Sequence, residues 1–371
     1  MQKTFKFDVI IGEEDMCDRE QEKKRLISLI QRKGRVVIYS LRRMGKTSLV
    51  SICSKKIKSL DRKFFYLYVD LNEATDIDDA AGRFRTHYEF ALKEQLPLKN
   101  VKAHINSLVS RFKLGLPGGM EISLEKHAAA EPEEYLMSLF KELKEMGENY
   151  NLALIIDEFQ GIADLKDVQA VLRREVKKLD NSAIVLMGSN QRMLYKMFND
   201  KKSPFFGFGE DMELKPIPAD DYLPYMNERF VEADMAIDAG VAEYMMERMN
   251  RIPNYINELG AWIIDTMKGS MQLTRGHIDE ALESAARSKQ GRYESALYGY
   301  NTNQKKFIKA VAKLEKVRSY TGKEMSEETG LSSTELSRVG KSLEDAPLVS
   351  RDTENRFFII DPFFRKFLEM M

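Results

Sequence analysis

Hydrophobic and polar positions change rhythm along the chain. In the first half, short apolar runs at 35–40 (RVVIYS), 64–71 (FFYLYVDL), 152–156 and 183–187 have the length and β-branched or aromatic content of buried strands, with a weaker fifth at 212–217. Helix-patterned stretches separate them, the first over 46–58. This alternation predicts an α/β fold with a parallel sheet covered by helices on both faces.

Two segments depart from that rhythm. Residues 112–124 carry short alternating runs around Pro117-Gly118-Gly119, which predicts a β-hairpin inserted between helices. After Pro218 the strand pattern stops, and 220–287 reads as helical with a break at Arg251-Ile252-Pro253. From residue 301 a helix (304–314), a short helix, a turn at Gly330-Leu331-Ser332, a helix (333–344) and two strands (348–352 and 356–360) follow in the order of a winged helix-turn-helix. The expected division is a core over 1–218 with the inserted hairpin, a helical segment over 219–295 and a winged helix over 296–371.

Composition narrows the class. With 43% hydrophobic and 31% charged residues, a wholly disordered chain is excluded. Lys plus Arg and Asp plus Glu both total 58, which argues against a globally basic nucleic-acid coat. Cys17 and Cys53 are the only cysteines, too few for a disulfide framework or a zinc ribbon, and the four histidines show no metal-ligand spacing. No apolar run is long enough to cross a bilayer, and the first residues lack the apolar stretch of a signal peptide, so a cytoplasmic protein with no membrane partner is expected. Charge is nonetheless uneven: residues 31–63 hold 11 bases and one acid, and 210–250 hold 11 acids and three bases.

The basic stretch contains Ser40-Leu41-Arg42-Arg43-Met44-Gly45-Lys46-Thr47, followed by Ser48, which fits a phosphate-binding loop except that serine stands at the first glycine. A loop leaving a strand and opening a helix turns its backbone N–H groups inward, and the helix start adds partial positive charge. Lys46 would reach the outer phosphates of ATP or ADP, the Thr47 hydroxyl would bind Mg²⁺, and Gly45 would let the backbone approach closely. The third apolar run ends in Asp157-Glu158. Open α/β sheets bind ligands at the carboxyl ends of their strands, so Asp157 is the candidate for the Mg²⁺ shell and Glu158 for the base that activates water. The fourth run ends in Gly188-Ser189-Asn190, where either polar side chain could sense phosphate or hold the water. Both residue types also favour helix N-caps.

Taken together these residues resemble the archaeal-type ATPase family, a branch of the AAA+/STAND P-loop ATPases, over nearly the whole length. The resemblance rests on Asp18-Arg19-Glu20, Arg42-Arg43-Met44-Gly45-Lys46-Thr47-Ser48-Leu49, Ile155-Ile156-Asp157-Glu158-Phe159-Gln160, Gly188-Ser189, Ser203-Pro204-Phe205-Phe206-Gly207, Ile252-Pro253-Asn254-Tyr255 and Asp361-Pro362-Phe363-Phe364-Arg365. It implies a five-stranded ATPase core, a helical lid and a winged helix. It also implies that Asp18 and Arg19 lie near the base or ribose and that Pro253 touches the nucleotide from the lid. The chain departs from the family at Ser40, at Arg251 where the lid motif prefers glycine, and at Phe208 where arginine is usual. Arg173, Arg174 and Arg192 remain candidates for an arginine acting on a neighbouring subunit's nucleotide.

The reading that follows is a slow Mg²⁺-dependent ATPase switch with a protein partner or self-association. A DNA-associated ATPase resembling origin-recognition proteins and a non-hydrolysing nucleotide-gated scaffold are the alternatives. DNA is weakly supported: residues 301–371 hold 13 bases against 11 acids, and the recognition helix offers only Arg338 and Lys341.

Overall fold

A computed structural model describes residues 4–112, 131–343, 348–351 and 356–371. The expected hairpin, 112–124, lies outside the described residues except for Phe112, which ends the helix Leu98–Phe112.

The chain divides into two compact units: Gly12–Glu14 with Arg19–Lys215, and Met1–Ile11 with Asp15–Asp18 and Pro216–Met371. In the first, α1 (Glu20–Gln31), β1 (Arg35–Tyr39), α2 (Lys46–Leu60), β2 (Phe64–Asp70), α3 (Ile77–Gln95), α4 (Leu98–Phe112) and α5 (Pro132–Asn149) are followed by β3 (Asn151–Asp157), α6 (Lys166–Lys177), β4 (Ala183–Gly188), α7 (Gln191–Asn199) and β5 (Glu210–Glu213). The five strands form one parallel sheet in the order β2-β3-β4-β1-β5. β3 and β4 are apolar without alternation and buried almost throughout, as strands covered on both faces must be. Phe65, Leu67 and Val69 share a core with Phe84, Leu139, Phe140 and Leu172 of the covering helices.

The order places β3, β4 and β1 side by side. Tyr39 lies opposite Gly188 and Ile156 opposite Leu186, so the chain leaves all three strands at one edge of the sheet. That edge receives the loop after β1, the acidic pair after β3 and Ser189 after β4.

The fifth strand differs from the expected 212–217. It pairs Val36–Tyr39 with Glu210–Glu213, and the last ladder bond runs from Leu214 N–H to Tyr39 O at 3.0 Å. Pro216 and Pro218 have no N–H and cannot extend the ladder. As an edge strand it tolerates Glu210 and Asp211 on solvent, so its polar half hid it from an apolar pattern.

The second unit contains α8 (Ala219–Val231), β6 (Met235–Ala236), α9 (Ala239–Arg248), α10 (Pro253–Thr266), β7 (Met271–Gln272), α11 (Arg275–Ser288) and α12 (Gln290–Tyr298). It continues with α13 (Thr302–Leu314), α14 (Lys323–Thr329), α15 (Ser333–Leu343), β8 (Val349–Arg351), β9 (Phe357–Ile359) and α16 (Pro362–Met370). The 220–287 stretch, expected to be wholly helical, contains the short parallel pair β6-β7. β8 and β9 pair antiparallel, and Val317 bridges Phe357 beside them. Ser332 and Glu335 exchange bonds at the start of α15, a capping box that fixes where this helix begins.

The N-terminal residues are part of this unit. Phe5 packs on Phe230 with ring centroids 5.0 Å apart, and a Cβ on Gly260 would come within 2.7 Å of the Phe5 ring. The Asn257 amide donates to Lys6 O at 2.7 Å. Arg229, 1% exposed, donates to Thr4 O and Tyr225 O and stacks 3.4 Å from the Tyr225 ring centroid. Within the same unit, Asn250 donates to Ile359 O and Ile360 O, and Arg365 donates to Arg248 O. Asp361 caps α16 through Phe363 N–H and Phe364 N–H, which accounts for its place before proline in the terminal motif.

Candidate functional site

β1 ends at Tyr39, and the chain turns through Ser40–Met44 to enter α2. Gly45 is the N-cap of α2 with φ 90°, a left-handed conformation that favours glycine. Arg43 also has positive φ, at 70°. Ser40 is not among the left-handed residues, so serine at the first-glycine position carries no backbone penalty. It is fully buried; its hydroxyl donates to Leu41 O at 3.0 Å and accepts from Lys46 Nζ at 3.2 Å.

Lys46 is 5% exposed and donates to Ser40 Oγ and Leu41 O, both at 3.2 Å. An ammonium has three donors, so one is left for an anion at the start of α2. Burial pulls the Lys46 ammonium below the ordinary lysine range, while the Glu158 and Asp157 carboxylates oppose that pull. Thr47, one residue on, donates to Asp157 Oδ2 at 2.8 Å. Ser48 lies buried in the first turn of α2, and Met44 is buried, whereas Arg42 points into solvent.

Asp157 closes β3 at 4% exposure. Three donors hold its carboxylate: Thr47 Oγ1 at 2.8 Å and Tyr68 OH at 2.6 Å on Oδ2, and Glu158 N–H at 2.8 Å on Oδ1. Burial pushes its carboxyl above the ordinary range and the Glu158 charge adds to this, while the three hydrogen bonds oppose it. Glu158 leaves the strand with φ 47°, a left-handed kink at the end of β3. The Glu158 carboxylate accepts from Ser189 Oγ at 2.8 Å and from the Gln160 amide. Gln160 also accepts from Ser189 N–H at 3.3 Å. Gly188 makes room for this side chain, since a Cβ there would meet Gln160 Oε1 at 2.0 Å.

Ser189 and Asn190 thus divide. Ser189 binds Glu158, whereas the Asn190 side chain accepts from Met193 N–H at 3.1 Å and caps α7. The sequence places two residues at this edge without marking them as partners of the carboxylates. Tyr68 shares a face of β2 with Tyr66 and Asp70 at period two, which is the only hint in its pattern. Gln160 stands in the quoted motif, but its contact with Glu158 depends on the kink.

Other expected residues lie elsewhere. Arg19, 4% exposed with φ 73°, opens α1 and donates to Glu22 Oε1 at 2.7 Å. Asp18 and Pro253 belong to the second unit, where Pro253 is the first residue of α10 and its carbonyl accepts from Tyr222 OH at 3.3 Å. Arg251, where the family motif prefers glycine, has φ 54°; a left-handed arginine costs about 1–2 kcal/mol, and its guanidinium is held by Glu243 and Glu247. Phe208, at the family's arginine position, is buried among Phe198 and Phe205. The guanidiniums of Arg173 and Arg35 lie over its ring at 5.3 Å and 5.6 Å. Arg174 pairs with Glu133 and Glu175, and Arg192 lies in the first turn of α7.

A five-stranded parallel sheet with buried Lys46 and Asp157 and half-buried Thr47 and Glu158 at one edge has the P-loop NTPase fold. No family model and no curated protein matches the chain. Solved structures do. A Walker-type ATPase of Pyrococcus abyssi superposes with TM-score 0.66 at 19% identity, covering 98% of this chain and 99% of that one. The ORC2 protein of Aeropyrum pernix, solved in ADPNP–ADP complexes, gives 0.55 at 13% identity over 96% of this chain and 94% of its own. The ORC1 protein of the same organism, solved in complex with DNA, gives 0.52 at 14% over 96% and 93%. Among the described residues no helix is long and apolar enough to cross a membrane.

Proposed function

We propose that the protein is an archaeal-type ATPase that binds ATP or ADP with Mg²⁺ and turns ATP over slowly as a conformational switch. One observation carries this reading: buried Lys46 keeps a donor free at the start of α2 while Thr47, one residue on, is bonded to the Asp157 carboxylate. Hard oxygen donors at Thr47 and Asp157 suit Mg²⁺, whose charge would offset that of the transferring phosphoryl group. The loop N–H groups and Lys46 bind and orient the phosphates. Glu158 takes the proton of the attacking water, and Ser189 and Gln160 hold its carboxylate in place. Arg19, in the same unit as the loop, is the candidate for a contact to the base or ribose. The output is a change in the second unit and in what it binds, either a protein partner or another copy.

The test is nucleotide content and ATPase rate of the purified chain. Lys46→Ala should lose bound nucleotide and turnover. Glu158→Gln should keep binding and slow hydrolysis by about 10²–10⁴. Wild-type turnover in Glu158→Gln sinks the base assignment.

A second reading, association with duplex DNA, has one observation in its favour. We read α13–α15 with β8-β9 as a winged helix. On it Lys306, Lys309, Lys313 and Lys316 are all exposed on or just after α13. Bonds from Ser332 lower the Glu335 carboxyl first, and the charges of Arg338 and Lys306 add to that effect. Such a face would bind duplex with a salt-dependent affinity, and Lys306→Ala with Arg338→Ala should reduce the salt slope by about two. Binding that is absent, or insensitive to salt, excludes it.

A further inference from the structure

The Asp157 carboxylate is held by one donor that belongs to neither the phosphate loop nor the acidic pair. Tyr68 lies on β2, where it pairs in register with Ile155, two residues before Asp157. Its O–H reaches across the strand boundary to Asp157 Oδ2 at 2.6 Å, the same oxygen that accepts from Thr47 Oγ1 at 2.8 Å. The other oxygen, Oδ1, accepts from Glu158 N–H. We propose that Tyr68 is a positioning residue for the metal side of the nucleotide site: its hydroxyl fixes the rotation of the Asp157 carboxylate so that Oδ2 stays turned to the Thr47 hydroxyl.

A carboxylate rotates about its terminal bond in a broad, two-fold well, so a single partner does not fix it. Here donors from three elements, α2, β2 and the turn after β3, bracket the group. Removing Tyr68 leaves Thr47 and Glu158 N–H, which are both close to Asp157 along the site and leave Oδ2 held from one side. The tyrosine ring is itself placed: its edge meets His87 of α3 with centroids 6.1 Å apart. Groups that orient a metal-side carboxylate commonly matter nearly as much as the ligands themselves.

The assignment rests on the nucleotide reading above, and the experiment separates the two. A fluorescent ADP analogue is titrated into the full chain at a series of MgCl₂ concentrations and again in EDTA. Tyr68→Phe keeps the ring and should raise the half-saturating Mg²⁺ concentration by about tenfold or more while leaving the EDTA affinity and the melting midpoint unchanged. In an Asp157→Asn background the same substitution should add nothing to the Mg²⁺ dependence. An unchanged Mg²⁺ dependence in Tyr68→Phe, equal weakening in EDTA, or effects that multiply in the double variant each overturn the assignment. Wild-type chain that binds no ADP in either buffer overturns the nucleotide reading and the assignment with it.

Discussion

Buried polar side chains serve different ends in the two units. At the sheet edge of the first unit they meet mainly other side chains: Lys46 with Ser40 as well as Leu41 O, Thr47 and Tyr68 with Asp157, Ser189 and Gln160 with Glu158. In the second unit they meet mainly backbone: Arg229 with Thr4 O and Tyr225 O beside Asp15, Asn257 with Lys6 O beside the Tyr222 and Tyr225 hydroxyls, Asn250 with Ile359 O, Arg365 with Arg248 O. Side-chain partners can be exchanged for a ligand's oxygens without breaking the fold. Backbone partners cannot, because the carbonyl is left buried and unpaired when its donor goes. The first arrangement is a site in waiting, and the second is a set of clamps.

That contrast can be broken in two places. The largest effect is expected at Arg229. Arg229→Ala should lower the stability of the chain by about 3–5 kcal/mol, since it strips one side of a buried polar cluster that includes Asp15. Lys46→Ala, which removes a buried charge of similar inaccessibility, should leave the urea midpoint close to wild type while nucleotide binding is lost. If the two variants melt alike, the distinction between clamp and site fails. A smaller effect separates neighbours. Ser189→Ala should cut turnover by about tenfold through the loss of one hydrogen bond to a carboxylate. Asn190→Ala should cost about 1 kcal/mol of stability as a lost N-cap and leave turnover alone. Equal losses of activity in both would return Asn190 to the site.

Much of the first unit was legible because its signals are local. The loop, its helix and the Asp157-Glu158 pair each lie within a few residues, and strand ends mark where they must stand. What the sequence hid depends on register or on kinks. Tyr68 is one aromatic among several on its strand, and only the pairing of β2 with β3 brings it to Asp157. The fate of Ser189 and Asn190 turns on where α7 begins. Counting charges over 301–371 averaged away the exposed lysines of α13, because a net charge of a domain says nothing about its faces. The glycine preference at 251 and the arginine that replaces it became intelligible only through a backbone angle, φ 54°.

The seat of the N-terminal residues also sets an order of events during synthesis. Thr4, Phe5 and Lys6 leave the ribosome more than 220 residues before their partners Arg229, Asn257 and Gly260. At about 5–20 residues per second the wait is roughly 10–50 s. Residues 19–215 are contiguous and complete before those partners emerge, so the sheet can close on its own while residues 4–6 remain without their place. A nascent chain arrested near residue 215 should therefore expose Phe5 to proteases or chaperones, and one arrested beyond α10 should not.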